Sequence, residues 1–387
     1  MSHTSTPATL VVSVLLLTAA SLYADPPNPP APRDDVGDWP MFRGDGGLNG
    51  VADGMLPGSL TVKWRFEAAD SVSSTAAIVD GTVYIGCADG SLYALQLDDG
   101  GLRWRYKTEA PIQSSPAVAG DTVWVGNDDG VMHAVDRQTG RKRWTYRTDG
   151  QIIASPNLTG DRVIFGSYDG YLYCLNKNDG KLLWRYETGG RIHGTTGIAD
   201  GRAFVAGCDA YVHAVDLATG KAVGTWSLDA VSGAAAAVRD GHVYVGTYEG
   251  RFLAIDTKVN RVAWTFADPQ NEPILSSAAI SDRLVIVGSR DRHVRAFDRA
   301  TGTVRWSFAT RGRVDSSPVI VGDRVFVGSS DGHLYALSLD SGTKTWSFEA
   351  GAPISASPAV AGNRLVIGTE DGSIYCFGSP AADSRSH

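Results

Sequence analysis

Alternating apolar and polar residues fill the chain from about residue 37 onward, in short runs separated by turn-forming dipeptides. The runs are rich in Val, Tyr, Phe and Trp, as in RVFVGS and HLYAL, and Gly-Asp, Asp-Gly or Thr-Gly pairs stand between them. Turn pairs of this kind between alternating runs are typical of β-hairpins. The pattern therefore predicts an all-β chain whose neighbouring strands are antiparallel.

One phrase recurs along the chain. VGSSDGHLYAL, residues 327–337, is matched by GCADGSLYAL from Gly86 and GSYDGYLYCL from Gly166, and the spacing is 40 residues with slips of a few. Each unit holds three turn signals and hence four strands, which is typical of one blade of a β-propeller. The units begin near Ser71, Pro111, Gln151, Arg191, Val231, Ile274, Arg313 and Pro353.

The strand count predicts how the ring closes. The stretch LTVKWRF around Trp64 precedes the first complete unit, whereas the unit that begins near Pro353 has only three strands. If the N-terminal strand completes the C-terminal blade, two free sheet edges disappear. We therefore predict an eight-bladed β-propeller with four-stranded blades over residues 37–378.

The first and last strands of each unit differ in composition. The first is made of small residues, as in SSPAV and SASPA, which suits the crowded axis of a propeller. The fourth ends at a tryptophan, which we interpret as packing between neighbouring blades near the rim. The eight tryptophans are Trp64, Trp104, Trp144, Trp184, Trp226, Trp264, Trp306 and Trp346.

The N-terminal residues are of another kind. LVVSVLLLTAASL, residues 10–22, is an apolar run of signal-peptide length, and a proline-rich stretch follows Ala24. We predict a cleaved signal peptide over residues 1–24, with a retained anchor as the alternative, then a Pro-rich linker over 25–36 and a disordered tail over 379–387. The mature chain is expected to have no membrane span and to be periplasmic or secreted.

Charge narrows the class of partner. The chain has 387 residues and a formal net charge of -7. Nucleic-acid binding driven by phosphate contacts requires clustered Lys and Arg, so a nucleic-acid partner is not expected.

The phrase DG-x-LYAL-D-x-x-TG-x-x-x-W resembles the tryptophan-docking repeat of the pyrroloquinoline quinone (PQQ)-like propeller family. DGVMHAVDRQTGRKRW (129–144) and DRHVRAFDRATGTVRW (291–306) are two of its copies, and DWPMFRGDGGLNG looks like the opening of secreted family members. The resemblance implies an eight-bladed propeller. It leaves two functions open, because the family holds quinoprotein dehydrogenases and non-catalytic scaffolds such as the BamB-type outer-membrane-protein assembly factor.

Few features of the sequence indicate a catalytic site. The resemblance implies that a dehydrogenase would hold PQQ and Ca²⁺ and carry a catalytic Asp, usually on long insertions. The longest connection here is the short FADPQNEPILSS, residues 266–277, and most Asp residues occupy turn positions. We therefore assign no catalytic, cofactor-binding or metal residue and leave the question of enzyme activity open, leaning against it. A PQQ-dependent oxidoreductase with Ca²⁺ remains the alternative, ahead of a small-ligand or sugar-binding propeller.

If a ligand or partner is bound, propeller geometry predicts where. The residues that lead into each innermost strand share one face with the turns between second and third strands, around the axis. Arginines there suit an anionic ligand or an acidic partner segment, although solvated rim residues and mutual ion pairs are the plainer interpretation. The candidates are Gln113, Gln151, Arg191, His193, Arg313 and Asp315.

Four cysteines allow a further hypothesis. Exported proteins permit disulfides, and Cys174 with Cys208, and Cys87 with Cys376, stand in nearly the same relation across adjacent units. Two inter-blade disulfides are one hypothesis, and buried free thiols are the other.

These observations favour a non-catalytic, exported binding or scaffold protein similar to the BamB type. We expect its partners to be other proteins of the cell envelope and expect the chain to be a monomer.

Overall fold

The computed structural model describes residues 1–3 and 37–380. The remainder of the predicted signal peptide, the predicted linker and the tail after residue 380 lie outside the described residues. Within those described ranges, no helix is long and apolar enough to cross a membrane.

The described chain consists of β-strands joined by tight turns. Before the first blade come β1 (Val51–Ala52) and β2 (Thr61–Glu67). Blades 1 to 4 are formed by β3 (Ala77–Val79), β4 (Thr82–Gly86), β5 (Ser91–Gln96), β6 (Leu102–Lys107); β7 (Ala117–Ala119), β8 (Thr122–Gly126), β9 (Val131–Asp136), β10 (Lys142–Arg147); β11 (Asn157–Thr159), β12 (Arg162–Gly166), β13 (Tyr171–Asn176), β14 (Leu182–Glu187); and β15 (Gly197–Ala199), β16 (Arg202–Ala206), β17 (Tyr211–Asp216), β18 (Ala222–Ser227).

Blades 5 to 8 follow in the same order. They are formed by β19 (Ala237–Arg239), β20 (His242–Gly246), β21 (Arg251–Asp256), β22 (Arg261–Ala267); β23 (Ala279–Ile280), β24 (Leu284–Gly288), β25 (His293–Asp298), β26 (Val304–Ala309); β27 (Val319–Val321), β28 (Arg324–Gly328), β29 (His333–Ser338), β30 (Lys344–Glu349); and β31 (Ala359–Ala361), β32 (Arg364–Gly368), β33 (Ser373–Gly378).

Strand pairing confirms the eight-bladed propeller and the predicted closure. Within each blade, consecutive strands pair antiparallel, with the first strand innermost. Blade 8 has only three strands of its own, and β2 pairs with β33 as its fourth, with Trp64 opposite Cys376. The N-terminal strand therefore closes the ring by hydrogen bonding to the C-terminal blade.

The hydrophobic core lies between neighbouring blades. Both faces of the middle strands are buried, as in β4 and β8, because each blade packs against two others. In one such layer, Tyr84 and Ala94 of blade 1 lie in the same cluster as Val123 and Val135 of blade 2. The short alternating runs of the sequence therefore supply apolar side chains to both neighbours.

Six of the eight rim tryptophans form the same contact with the next blade. Trp104 donates its indole N–H to the Arg137 carbonyl at 2.9 Å and lies against Gly140, whose φ is 68°. A Cβ at Gly140 would lie 2.8 Å from the Trp104 ring. The indole N–H donors are Trp64, Trp104, Trp144, Trp184, Trp264 and Trp306. The Thr-Gly or Asp-Gly pair of the repeat is thus both a turn and a docking surface.

Trp226 does not dock on a turn of the next blade in this way, although it packs between blades 4 and 5, in one cluster with Val238 and Leu253. In blade 3, Trp184 lies opposite Cys174, but in blade 4 the residue opposite Ala214 is Gly224. Trp226 lies two positions further on, and its ring covers Gly224 at 2.7 Å from a Cβ built there. Its indole N–H is buried without a partner among the described residues. The next blade has Asn260 where the docking glycine would stand.

Trp346 also differs from the six. The blade that follows it is closed by the separate strand β2, so no turn connects its third and fourth strands. Trp346 packs instead edge-on against Phe377, with ring centroids 5.6 Å apart.

Residues Trp39–Ala52, here called the strap, run across the inner ends of the blades. The strap bonds to blade 1 through Trp39 and Ile78, and β1 pairs parallel with β27 of blade 7. Between these ends its carbonyls accept hydrogen bonds from the innermost strands of the other blades. The donors are Val118, the Asn157 side chain, Ile198, Val238 and Ile280. The strap therefore ties together seven blades at one end of the axis.

The disulfide hypothesis is wrong for both pairs, because the four cysteines are free, as the alternative held, although Cys208 is exposed rather than buried. Cys87 lies beside the second-to-third-strand turn of blade 1, with its thiol at the Asp70 carbonyl, whereas Cys376 lies inside β33. Cys174 lies inside β13 in the core, whereas Cys208 is exposed. The members of each pair thus occupy different levels of their blades. Burial raises the pKa of Cys174 and Cys376 to about 12 and keeps them as thiols.

Candidate functional site

A ring of hydroxyl groups surrounds the axis just above the innermost strands. In seven blades the same position carries Ser or Thr, and six of these hydroxyl oxygens each accept a backbone N–H from the equivalent residue of the preceding blade at 2.9–3.2 Å. The members are Thr75, Ser115, Ser155, Thr195, Ser277, Ser317 and Ser357. We call this set the hydroxyl ring; its N–H bonds link adjacent blades.

The hydroxyl ring is interrupted at blade 5. Ala235 stands where the other blades have a hydroxyl. Among the described residues, no acceptor therefore serves the Thr195 N–H. Independently of that side chain, the Ala235 N–H makes no hydrogen bond to Ser277 Oγ. Ser277 as a whole residue is 3% exposed, and it lines the central cavity.

The hydroxyl ring lines a central cavity of about 210 Å³. Phe42 of the strap lines the same cavity, as do Gln113, His193 and Asp315. Gln113 is exposed, so the cavity reaches the surface of the face to which the predicted residues belong. The centre of the propeller is thus a chamber with a mouth on one face and the strap at its other end.

A buried arginine lies beneath the hydroxyl ring. Arg43 of the strap is 1% exposed, and its guanidinium donates to the carbonyls of Ser317, Ala278 and Pro318. Burial lowers its pKa to about 9, and the carboxylate of Asp45 opposes that effect. Its Nε has no partner among the described residues. Gly50 is required here, since a Cβ would lie 1.8 Å from the guanidinium.

The structure separates the six predicted site residues into two groups. Gln113, His193 and Asp315 line the chamber, whereas Gln151, Arg191 and Arg313 are exposed and lie further out. Gln113 donates to Asp128 at 2.7 Å. Gln151 takes part through its backbone carbonyl, which accepts the Tyr168 N–H. The predicted residues therefore share one face without forming one contact cluster.

Aromatic and basic side chains meet on one side of the mouth. The Tyr168 hydroxyl and His193 Nδ1 are hydrogen-bonded at 2.5 Å, and the Arg191 guanidinium lies 5.6 Å from the Tyr168 ring centroid. Burial and then the charge of Arg290 lower the pKa of His193, so the imidazole is neutral at pH 7. Burial raises the pKa of Tyr168 to about 12.

An ion-pair group completes this side. Arg290 binds Asp315 with two hydrogen bonds, at 2.8 and 3.3 Å, and Arg313 lies 3.2 Å from the same carboxylate. The Asp315 hydrogen bond raises the pKa of Arg290. The Asp315 carboxylate is therefore paired with two arginines.

Four residues at the mouth were not predicted from the sequence: Tyr168, Tyr248, Arg290 and Asp128. All four occupy the residue before the Asp-Gly turn or its equivalent, the least uniform position of that phrase. We use the name mouth patch for Tyr168, Arg191, His193, Tyr248 and Arg290. The variability within an otherwise uniform phrase was the signal that could have identified the turn residues.

No group of three or more His, Cys, Asp or Glu residues in the described part of the chain is arranged to hold a metal ion.

The geometry defines the class of protein as an eight-bladed propeller with tryptophan-docked blades and a single-mouthed central chamber. Within that class, the chain belongs to the family described as outer membrane protein assembly factor BamB, whose model matches residues 58–190, 151–227, 169–281 and 269–380. No curated protein sequence matches the chain.

Solved structures share this fold at low sequence identity. BamB from Moraxella catarrhalis is 22% identical, with a TM-score of 0.72 over 83% of this chain and 100% of that one. Quinohemoprotein alcohol dehydrogenase from Comamonas testosteroni is 15% identical, with a TM-score of 0.76 over 90% of this chain and 82% of that one. The computationally designed Ika8 protein is 16% identical, with a TM-score of 0.73 over 82% and 99%.

Proposed function

We propose that this chain is a non-catalytic binding protein of the cell envelope that holds a segment of a partner protein on the mouth patch. The observation that carries the proposal is the composition of the patch. Tyr168 and Tyr248 stand beside Arg191 and Arg290 at the rim of a rigid ring. Tyrosine and arginine are enriched in the hot spots of protein interfaces, because both combine a large contact area with polar groups.

The structure of the patch suits recognition without large rearrangement. Tyr168 is fixed by His193, and Arg290 is fixed by Asp315. Side chains that are already ordered lose less conformational entropy when a partner binds. The family match to an outer-membrane-protein assembly factor also supports a protein partner in the envelope.

The donor set at the mouth is a poor match to Ca²⁺. The Asp315 oxygens accept hydrogen bonds or ion pairs from two arginines, whereas Asp128 accepts only from Gln113, and its Oδ1 is buried without a partner among the described residues. A Ca²⁺ ion takes six to eight oxygen ligands and would have to displace the two arginines. We therefore derive no oxidoreductase step.

Site-specific photocrosslinking in the native cell tests the proposal. A photoreactive amino acid at Arg191 is expected to give an adduct with an envelope protein. The same amino acid at Val259, in the turn between β21 and β22 at the opposite end of the strands, serves as the matched control. Loss of the Arg191 adduct in a Tyr168→Ala, Arg290→Ala background would tie it to the patch.

Two results would count against the proposal. One is an absence of adducts from Arg191, or equal adducts from Val259. The other is saturable binding of PQQ with Ca²⁺ by the purified protein, followed by dye reduction with an alcohol or a sugar.

A further inference from the structure

The hydroxyl ring has unused hydrogen-bonding capacity. Six of its oxygens accept a backbone N–H, but among the described residues none of the seven hydroxyl groups donates its own hydrogen to a protein acceptor. Each side chain is at most 6% exposed, and all seven line the chamber. Seven O–H donors therefore converge on one small volume without an acceptor supplied by the protein.

Ser277 is the clearest case. Its Oγ neither accepts nor donates a hydrogen bond among the described residues, although it is 3% exposed. In blades 1, 2 and 7 the preceding residue, Ser74, Ser114 or Ser316, accepts the N–H of the second strand, and Ser276 does the same in blade 6. Ser277 itself is thus not required for those blade contacts. Its hydroxyl lines the chamber and contacts no protein donor or acceptor among the described residues.

A buried positive charge lies behind one wall of the same chamber, at Ser317. The Arg43 guanidinium donates to the Ser317 carbonyl, and the Ser317 hydroxyl belongs to the ring. Arg43 is bonded to three neutral carbonyls, and Asp45 is the carboxylate whose charge acts on it. O–H donors and a nearby buried cation both stabilise negative charge on oxygen.

We propose that the chamber binds a small oxyanion, held by the free O–H groups of the hydroxyl ring, with the Arg43 guanidinium buried behind Ser317 as the nearest positive charge beneath them. The volume of about 210 Å³ admits a tetrahedral anion with a few water molecules. At the mouth, Asp315 is paired with Arg290 and Arg313 and so opposes the anion less than a free carboxylate would. The site lies below the mouth patch and does not depend on the protein partner proposed there.

Phosphate, sulfate and carboxylate groups all carry negatively charged oxygens that accept hydrogen bonds. Two probe anions therefore distinguish a tetrahedral anion from a carboxylate as the ligand. Thermal unfolding of the purified mature protein is measured against inorganic phosphate and, separately, acetate, with ionic strength held constant by NaCl. A ligand that binds only the folded chain raises the Tm with its concentration. A response to phosphate indicates a tetrahedral anion, and a response to acetate indicates a carboxylate; either supports the site.

The variants make the test specific. Ser277→Ala removes an O–H that contacts no described protein group, so its Tm without anion should equal that of the wild type, while the anion affinity falls roughly tenfold. Ser341→Ala removes an exposed turn hydroxyl between β29 and β30 and should leave the affinity unchanged. General stabilisation by excluded salts acts on all three proteins alike.

A second readout requires no variant. Crystals of the wild-type protein soaked in selenate should show an anomalous peak inside the hydroxyl ring. The proposal is overturned by ordered water alone in the chamber, by no anion-dependent Tm shift beyond the NaCl reference, or by an equal shift in Ser277→Ala.

Discussion

The contact between a rim tryptophan and the glycine of the next blade can be measured with two alanine substitutions in one blade. Gly120 and Gly140 both belong to blade 2 and both have positive φ, 56° and 68°. A Cβ at Gly120 meets nothing within 4 Å, whereas a Cβ at Gly140 would lie 2.8 Å from the Trp104 ring. The pair therefore separates the backbone cost from the cost of losing the docked ring.

The magnitudes follow from these environments. Alanine in the left-handed region costs about 1 kcal/mol at either position. Gly140→Ala must also displace the indole, which is held by its hydrogen bond to Arg137, and overpacking of this kind costs about 1–3 kcal/mol. We expect Gly120→Ala to lower the free energy of unfolding by about 1 kcal/mol and Gly140→Ala by about 2–4 kcal/mol.

Urea unfolding followed by far-UV circular dichroism provides the measurement. In a Trp104→Ala background the ring is gone, so the extra cost of Gly140→Ala should disappear while the backbone cost remains. Equal losses for Gly120→Ala and Gly140→Ala, or an unchanged extra cost without Trp104, would refute the docking argument.

Three further substitutions test the strap, the hydroxyl ring and a buried histidine. Arg43→Met leaves three carbonyls without their donor, so it should lower the free energy of unfolding by about 3 kcal/mol in urea unfolding. The control is Arg283→Met on the surface, which breaks only the pair with Asp340. It should change the free energy of unfolding by less than about 0.5 kcal/mol. Ala235→Ser supplies the missing acceptor for the Thr195 N–H and should stabilise the ring by about 1 kcal/mol; a lower urea midpoint would contradict it. Burial lowers the pKa of His133 to about 4, below its unfolded value, so stability present above about pH 6.5 is lost as the pH falls toward 4, by about 2 kcal/mol at pH 5. His133→Tyr, the residue of blades 1, 3, 7 and 8 at this position, should remove most of that acid-dependent loss, and an equal loss in the variant would rule out His133 as its source.

The blades were predictable from the sequence because the features that specify each blade lie within one repeat unit. Alternation, turn pairs and the docking tryptophan all lie within one unit, and the offset between Trp64 and the last three strands was enough to predict the closure. Trp226 packs between blades 4 and 5, but its distance from the preceding turn, which the sequence prediction did not consider, keeps its indole N–H from the docking bond that six other tryptophans make. Trp226 lies six residues after Gly220, whereas Trp184 lies four residues after Gly180, so Trp226 is two positions further from its turn.

The strap and the chamber were not predictable in the same way. The strap matches no repeat unit, and its contacts join residues far apart in sequence, such as Arg43 with Pro318. The small first strands were explained by crowding at the axis, and the hydroxyl oxygens were left without a role. Seven hydroxyls in one register were visible in the sequence, but their N–H partners belong to the preceding blade and appear only once the ring is closed.

The departures from the repeat collect at one boundary, between blades 4 and 5. Gly224 replaces the docking tryptophan, Asn260 replaces the glycine that such a tryptophan would contact, and Ala235 interrupts the hydroxyl ring. The first two changes compensate, because a turn that receives no indole ring has no need to lack a Cβ. The third removes the acceptor for the Thr195 N–H, and at the same boundary the Ala235 N–H makes no hydrogen bond to Ser277 Oγ among the described residues. The mouth patch spans this same boundary through Arg191 and Tyr248. The docking contact and the hydroxyl-ring bonds repeat at most other blade boundaries. The boundary between blades 4 and 5 lacks both, so we expect side chains there to be the ones available for binding.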